Sequence, residues 1–208
     1  MTTREKILEQ ARRMFNTLGM ESASAKMIAN ELSISDGNLR YHFRTKEDLV
    51  YALYMQLVEG FDRQFAPFDT VNEMNIDQIY QSLHTVYGKL YAHRYLMADF
   101  MAIMRKYPKI AQHYRELTQQ RKQQFRRVLK VLKASDILNN DISEKQYEQL
   151  MEQFNLLSDT WIGHAEVFME KSSGDEKVLH YVRLAFSIIA PYLTEKGKVQ
   201  YEYALTKK

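Results

Sequence analysis

Apolar side chains recur along this chain every three or four positions and rarely in strict alternation, so the pattern predicts helices from end to end. The first spans 4–18, where Ile7, Leu8, Ala11, Phe15 and Leu18 share one face while Arg4, Lys6, Arg12 and Arg13 are left to solvent. Gly19 follows as a C-terminal stop. Ser24 is placed to cap a second helix with Ile28, Ala29 and Leu32 inside, and Ser35 to cap a third over 36–42, anchored by Leu39. Between them Leu32-Ser33-Ile34-Ser35 breaks the period, with Ile34 turned inward. Thr45 and Asp48 make an acidic variant of the capping box, opening a fourth helix that carries Leu49, Leu53, Leu57 and Phe61 towards a stop at Pro67.

Beyond a linker-like stretch over 67–75, the same period predicts a helix over 76–91 with Ile79, Leu83, Val86, Tyr87 and Leu90 inside. Another follows through Arg105, and a long one over 109–133 after Pro108. A polar loop, 134–142, leads to a helix over 144–171 capped by Ser143, with Glu144 close to its N-terminal dipole. Ser172-Ser173-Gly174 ends it, and a last strong helix covers 175–193, kinked or shortened by Pro191. The tail, 194–208, alternates enough to be extended or helical. The expectation is an all-α fold: a three-helix unit over 1–46 and a larger helical unit over 47–208, linked by the helix that starts at 46.

Composition narrows this reading. The 208 residues include no cysteine, which removes disulfides and thiolate chemistry, and the formal net charge of +3 says little about nucleic acid. The chain lacks an early apolar run like a signal peptide and any stretch long enough to span a bilayer, so a soluble, cytoplasmic protein without membrane contact is expected. Charge is uneven. Between Arg105 and Lys133 ten Lys or Arg face one acid, Glu116, whereas 134–177 holds ten acids and three lysines. Two neighbouring helices that complement each other along their rims explain this better than a second nucleic-acid surface.

Enzyme chemistry finds no foothold. The six histidines lack metal-binding spacing, and neither a phosphate loop nor a nucleophile elbow is present, so no catalytic residue, metal or cofactor is implied. The helix over 36–42 is different. A short helix offering the Asn38 amide, the Arg40 guanidinium and the Tyr41 phenol around Leu39 suits a DNA major groove. Tyr41 and His42 are placed for phosphates, as is Lys46 at the head of the fourth helix.

The string Ala11-x-x-x-Phe15-x-x-x-Gly19, then Ser24, Ile28-Ala29, Ile34-Ser35, Gly37, Leu39, Tyr41-His42-Phe43, Lys46-Glu47 and Leu49, resembles the N-terminal domain of TetR-family transcriptional regulators. The resemblance covers residues 4–50. It implies an all-helical homodimer that binds a palindromic double-stranded DNA operator, usually as a repressor, with a variable C-terminal domain for a small effector and for dimerisation. By position, Ser24, Tyr41, His42 and Lys46 are similar to the family's phosphate-contacting residues, and Gly37, Asn38 and Arg40 lie on the recognition helix that Ser35 caps. Asn38 stands where Thr or Ser is common, Arg40 where an aromatic is usual, and Ser33 replaces a frequent turn glycine, so no operator preference transfers.

For the larger unit, Tyr87, Tyr91, Met97, Phe100, Met101 and Met104 are candidate linings of an apolar or amphipathic effector pocket, together with Phe125, Trp161 and Phe168. His93, Asp99 and His164 are its candidate polar groups. Met151, Phe154 and Leu157 on one helix, and Val182, Ala185, Phe186, Ile189 and Leu193 on the next, are the candidate dimer face. The rival reading is a helical enzyme or small-molecule carrier whose helix-turn-helix-like segment is incidental.

Overall fold

In the computed structural model, which describes residues 1–70 and 72–206, eleven α-helices follow one another. The first four are α1 (Thr3–Leu18), α2 (Ala25–Glu31), α3 (Asp36–His42) and α4 (Lys46–Phe65). Three short or medium helices come next, α5 (Ile76–Ala92), α6 (Arg94–Met97) and α7 (Phe100–Lys106). The long α8 (Pro108–Ala134) and α9 (Glu144–Phe168) precede α10 (Gly174–Ser187) and α11 (Glu195–Thr206). Among the described residues there is no strand beyond one isolated antiparallel bridge, Leu138 to Leu193, and no helix is long and apolar enough to cross a membrane.

Side-chain caps set most helix starts. Thr2 with Glu5, Thr45 with Asp48, Asn75 with Gln78, Ser143 with Gln146 and Ser173 with Glu176 each form a reciprocal capping box. Gly19, at φ 81°, ends α1 with its N–H donated to the Phe15 carbonyl. Ile7, Leu8, Phe15, Ile28, Leu39 and Leu49 are all 2% exposed or less, so α1 to α4 close one small core. That core continues unbroken into the larger unit, where α5 lies against α10 and α11. Tyr80 and Tyr201 both pack on Phe186, the latter stacked at 4.5 Å.

Four expectations change. The helix expected through Arg105 is two, because Asp99 leaves helical geometry and caps α7 through the Ala102 N–H. The helix after Ser143 ends at Phe168 rather than 171. The one expected to reach 193 ends at Ser187, four residues before Pro191, whose ring would strike that residue's carbonyl; Pro191 sits instead in a 3-10 turn, Ala190–Tyr192. The loop over 134–142 is polar in composition yet buries Ile137, Leu138 and Ile142, pinned by Asn139 N–H to Tyr192 C=O and Thr194 N–H to Ile137 C=O. The tail is helical to Thr206, and a side chain on Gly197 would strike the Ile137 carbonyl. Val71 of the expected linker and residues 207–208 of the tail lie outside the described residues.

Candidate nucleic-acid interface and effector cavity

The turn between α2 and α3 decides how α3 is presented. Ser33 takes a left-handed conformation, φ 53°, while its N–H bonds Asn30 C=O and the Ile34 N–H reaches back to Ala29 C=O. Those two bonds make a Schellman motif whose left-handed position usually belongs to glycine. A β-carbon there costs about 1–2 kcal/mol, partly offset by glycine's entropy in the unfolded chain. Ser33→Gly is therefore expected to stabilise the protein by roughly 0.5–1 kcal/mol, raising the melting temperature by about 1–4 °C in a calorimetric scan. A lower melting temperature would show that the serine hydroxyl matters more than its backbone strain.

Ser35 accepts the Asn38 N–H at 3.1 Å and starts α3. Leu39 and Phe43 are buried and hold the helix on the core, with Arg4 lying over the Phe43 ring at 5.2 Å. This leaves Gly37, Asn38, Arg40 and Tyr41 pointing out together, Tyr41 85% exposed, with Ser24 and Ser35 exposed beside them. His42 is half-buried and sits edge-on to Tyr41. Arg40 pairs with Asp36 one turn back at 2.7 Å, a contact between two well-exposed side chains. Gly37 is helical and a β-carbon there would meet only the Ser35 hydroxyl at an ordinary 3.9 Å, so its missing side chain serves no packing need.

Lys46 differs from the rest. It is half-buried, its ammonium donates to the Met20 carbonyl and lies 5.7 Å from the Phe15 ring centroid, and burial lowers its pKa. Its charge is thus largely committed to the loop between α1 and α2, while its position leaves it at the N-terminus of α4. Two exposed cations that sequence reasoning passed over flank the same face, Lys26 in the first turn of α2 and Arg44 between Phe43 and Thr45. Their sole sequence signal was position beside the capping and aromatic residues.

In the larger unit a cavity of about 280 Å³ lies between α4, α5, α6, α7, α8 and α9, close to the lower end of the usual 300–1,000 Å³ for ligand pockets. Of the candidate pocket residues, Tyr87, Met97, Phe100, Met104 and Phe125 line it. Seven other candidates do not. Trp161 is fully buried behind Tyr87, stacked at 5.2 Å, and Tyr91 lies beyond it. Met101 and Phe168 are 61% and 72% exposed, on the outer faces of their helices. His164 bonds the Tyr181 hydroxyl at the seam of α9 and α10. His93, whose pKa burial and Arg12 push down to about 4, bonds Tyr95 at the junction with α1. Asp99 is the α7 cap.

The cavity's polar lining was not foreseen. Ser82, Thr118 and the tyrosines Tyr54, Tyr87 and Tyr114 line it, along with Arg121, Gln124, Asn155, Ser158 and Asp159. On amphipathic helices such residues read as solvent-facing, and only the packing of α8 against α9 turns them inward.

The candidate dimer residues also fall elsewhere. Val182, Phe186, Ile189 and Leu193 are 0–4% exposed within one chain, and so is Ala185; α5 packs on α10, and Tyr201 of α11 stacks on Phe186. Met151 and Phe154 line the cavity, and Leu157 is partly buried against the core. The outward apolar residues are instead Leu156, Val167 and Phe168 on α9 and Leu184 on α10, each 45–72% exposed.

One segment joins the two units. At the end of α5 the Ala92 carbonyl accepts from Asn16 at 2.8 Å and from Arg12 at 3.1 Å, and the Asn16 side-chain oxygen accepts the Tyr95 N–H at 3.1 Å. These α1 side chains satisfy groups that the α5 and α6 termini would otherwise leave unpaired. Phe15 packs on Tyr95 at 5.4 Å, and Lys106 of α7 pairs with Glu21. Leu96, Met97, Phe100 and Ile103 of the same two short helices line the cavity.

Family models match both parts of the chain: one described as bacterial regulatory proteins, tetR family, over residues 7–53, and one described as bacterial transcriptional repressor, TetR, over 56–201. The HTH-type transcriptional regulator UidR of Escherichia coli K12 is 32% identical over 110 residues, 52% of this chain and 55% of its own length. The chain thus spans about half the length of the curated relatives it matches. A TetR-family transcriptional regulator from Marinobacter aquaeolei VT8 shares the fold at a TM-score of 0.86 and 24% identity, over 100% of this chain and 98% of that one. SmeT, the repressor of a Stenotrophomonas maltophilia multidrug efflux pump, does so at 0.65 and 14% identity, over 93% and 92%.

Proposed function

Since the chain belongs to the TetR family of bacterial transcriptional regulators, we propose that it is a repressor that holds a palindromic operator as a homodimer and lets go when a small effector fills the cavity. The observation that carries this reading is the double duty of residues 92–106. One side of the segment is hydrogen-bonded to α1, and the other lines the cavity. A ligand that displaces Leu96, Met97 or Phe100 therefore moves the support on which the DNA-binding unit sits.

In this reading α3 enters the major groove. Asn38 and Arg40 meet base edges, while Ser24, Ser35, Tyr41, His42 and the cations Lys26 and Arg44 meet phosphates. Lys46 contributes mainly by bracing the loop before α2, and Gly37 lets the sugar-phosphate chain approach. The domain division is 1–46 and 47–208, with α4 shared. The outward residues of α9 and α10, Leu156, Thr160, Val167 and Leu184, pair with their copies across a two-fold axis in place of the buried set first expected. Two α3 helices then address successive major grooves about 34–36 Å apart. The effector must bind the released arrangement more tightly than the DNA-bound one, since equal affinity for both would shift nothing.

The test is selection of bound DNA from a random library with the full chain. The expected result is a palindrome whose half-sites lie about one helical turn apart. Recovery of no enriched sequence, or of an unpaired half-site, would overturn the reading and favour a helical carrier or enzyme.

A further inference from the structure

We infer that the cavity takes a cationic amphiphile, with its apolar chain laid along α8 and a protonated amine against the Asp159 carboxylate. This rests on the cavity being the effector site. Its lining on α8 runs from Ile110 to Val128, roughly 27 Å at 1.5 Å per residue, so the space is long and suits a chain better than a disc. Most of the lining is apolar, and among the described residues only two formally charged side chains reach it, Arg121 and Asp159.

Those two are not equivalent. Arg121 is already answered: it pairs with Asp62 at 2.5 Å, donates to Gln124 at 2.7 Å and lies over the Phe65 ring at 4.9 Å. Asp159 accepts the Tyr114 hydroxyl, and among the described residues no Lys or Arg pairs with it. A carboxylate withdrawn from water without a counter-charge is costly, and a ligand that brings the missing cation recovers that cost on binding. Phe100 and Tyr114 meet edge to face at 5.1 Å in the lining, which also presents Tyr87, and aromatic faces attract an ammonium group. An anionic head would meet Asp159 with like charge and would find Arg121 occupied.

The protonation state agrees with this. Burial pushes the Asp159 carboxyl up to about 6, opposed by the Tyr114 hydrogen bond. The titratable and charged groups that share the lining with it are the Tyr54 phenol on α4, raised by burial and hydrogen-bonded to His113, the Tyr87 phenol on α5, raised to about 12 by burial, the Tyr114 phenol on α8, raised by burial and by Asp159 itself, and the paired Arg121 guanidinium. None of these phenols titrates between pH 5 and 8, and α7 contributes only apolar Phe100, Ile103 and Met104 to the lining. An alkylamine is also fully protonated there. Amine affinity should therefore fall about tenfold from pH 7.5 to pH 5 as Asp159 becomes neutral.

The experiment is a calorimetric titration of the full chain with decylamine, decanol and decanoate, each below its micelle-forming concentration. Decylamine is expected to bind at least tenfold tighter than decanol, with decanoate weakest. Asp159→Asn, which keeps an acceptor for the Tyr114 hydroxyl, should bring decylamine down to the decanol value. Should that variant not fold, the pH series on the unmodified protein reads the same carboxyl. Decanol or decanoate binding as tightly as decylamine, or an amine affinity flat from pH 5 to 7.5, overturns the head-group assignment and leaves the effector cavity standing. Failure of all three to bind overturns both.

Discussion

Trp161→Ala is expected to cost about 3–5 kcal/mol of stability, a large part of the 5–15 kcal/mol that holds most domains folded. The indole is fully buried, with ring contacts to Tyr87 at 5.2 Å, Tyr91 at 6.1 Å and Tyr181 at 5.1 Å, so three helices lose a shared packing surface. Those aromatic contacts add to plain burial. At about 2–4 °C per kcal/mol for a chain of this size, the melting temperature should fall by roughly 6–20 °C, read by circular dichroism at 222 nm. Trp161→Phe keeps one ring of the stack and should lose less than half as much. The variant should also bind effector more weakly at a temperature where it is folded, because the ring behind Tyr87 fixes one wall of the cavity. A melting temperature within 2 °C of the unmodified protein would mean the stack is ornamental.

The same residue shows what a sequence can carry. The chain's one Trp, on α9 between Thr160 and Ile162, marks something important, yet the periodicity could not say whether it faced a ligand, a partner or the core. Local signals fared better. Ser24, Ser35, Thr45 and Ser143 cap the helices they were expected to cap, because each cap is a bond between residues three apart. The outward set on α3 was legible for a related reason: Leu39 and Phe43 go inward, and geometry then turns Asn38, Arg40 and Tyr41 outward.

Non-local choices were not legible. Val182 and Phe186 look like an unpartnered face until α5, about a hundred residues before, packs on α10 and Tyr201 of α11, about a dozen after, stacks on Phe186. Asp159 and Arg121 look like solvent-facing charges until α8 and α9 close on each other. Lys46 looks free until the α1–α2 loop offers it the Met20 carbonyl. In each case the apolar or polar character was right, and the neighbour that decides its use was missing.

Arg40→Ala should weaken operator binding far more than any other single truncation on α3. A guanidinium on a base edge discriminates by about 1–3 kcal/mol, and a homodimer carries two, so the loss is about 2–6 kcal/mol, from roughly 30-fold to over 10⁴-fold. Two features make the substitution a clean probe. Leu39, not Arg40, anchors α3, so the fold should survive. The Asp36 pair that Arg40 gives up is exposed on both sides, 69% and 45%, and such pairs hold their partners by about 0–1 kcal/mol, too little to compete with DNA. Arg44→Ala is the matched control. If Arg44 meets phosphate, its loss should weaken operator and random DNA alike and lower the slope of log affinity against log salt by about two per dimer. Arg40→Ala should leave that slope and the random-sequence affinity nearly unchanged. A fall in slope for Arg40→Ala, with specificity retained, would move Arg40 to the phosphates and leave Asn38 as the base reader. Unchanged operator affinity in both variants across the salt series would sink the assignment of α3 to the groove.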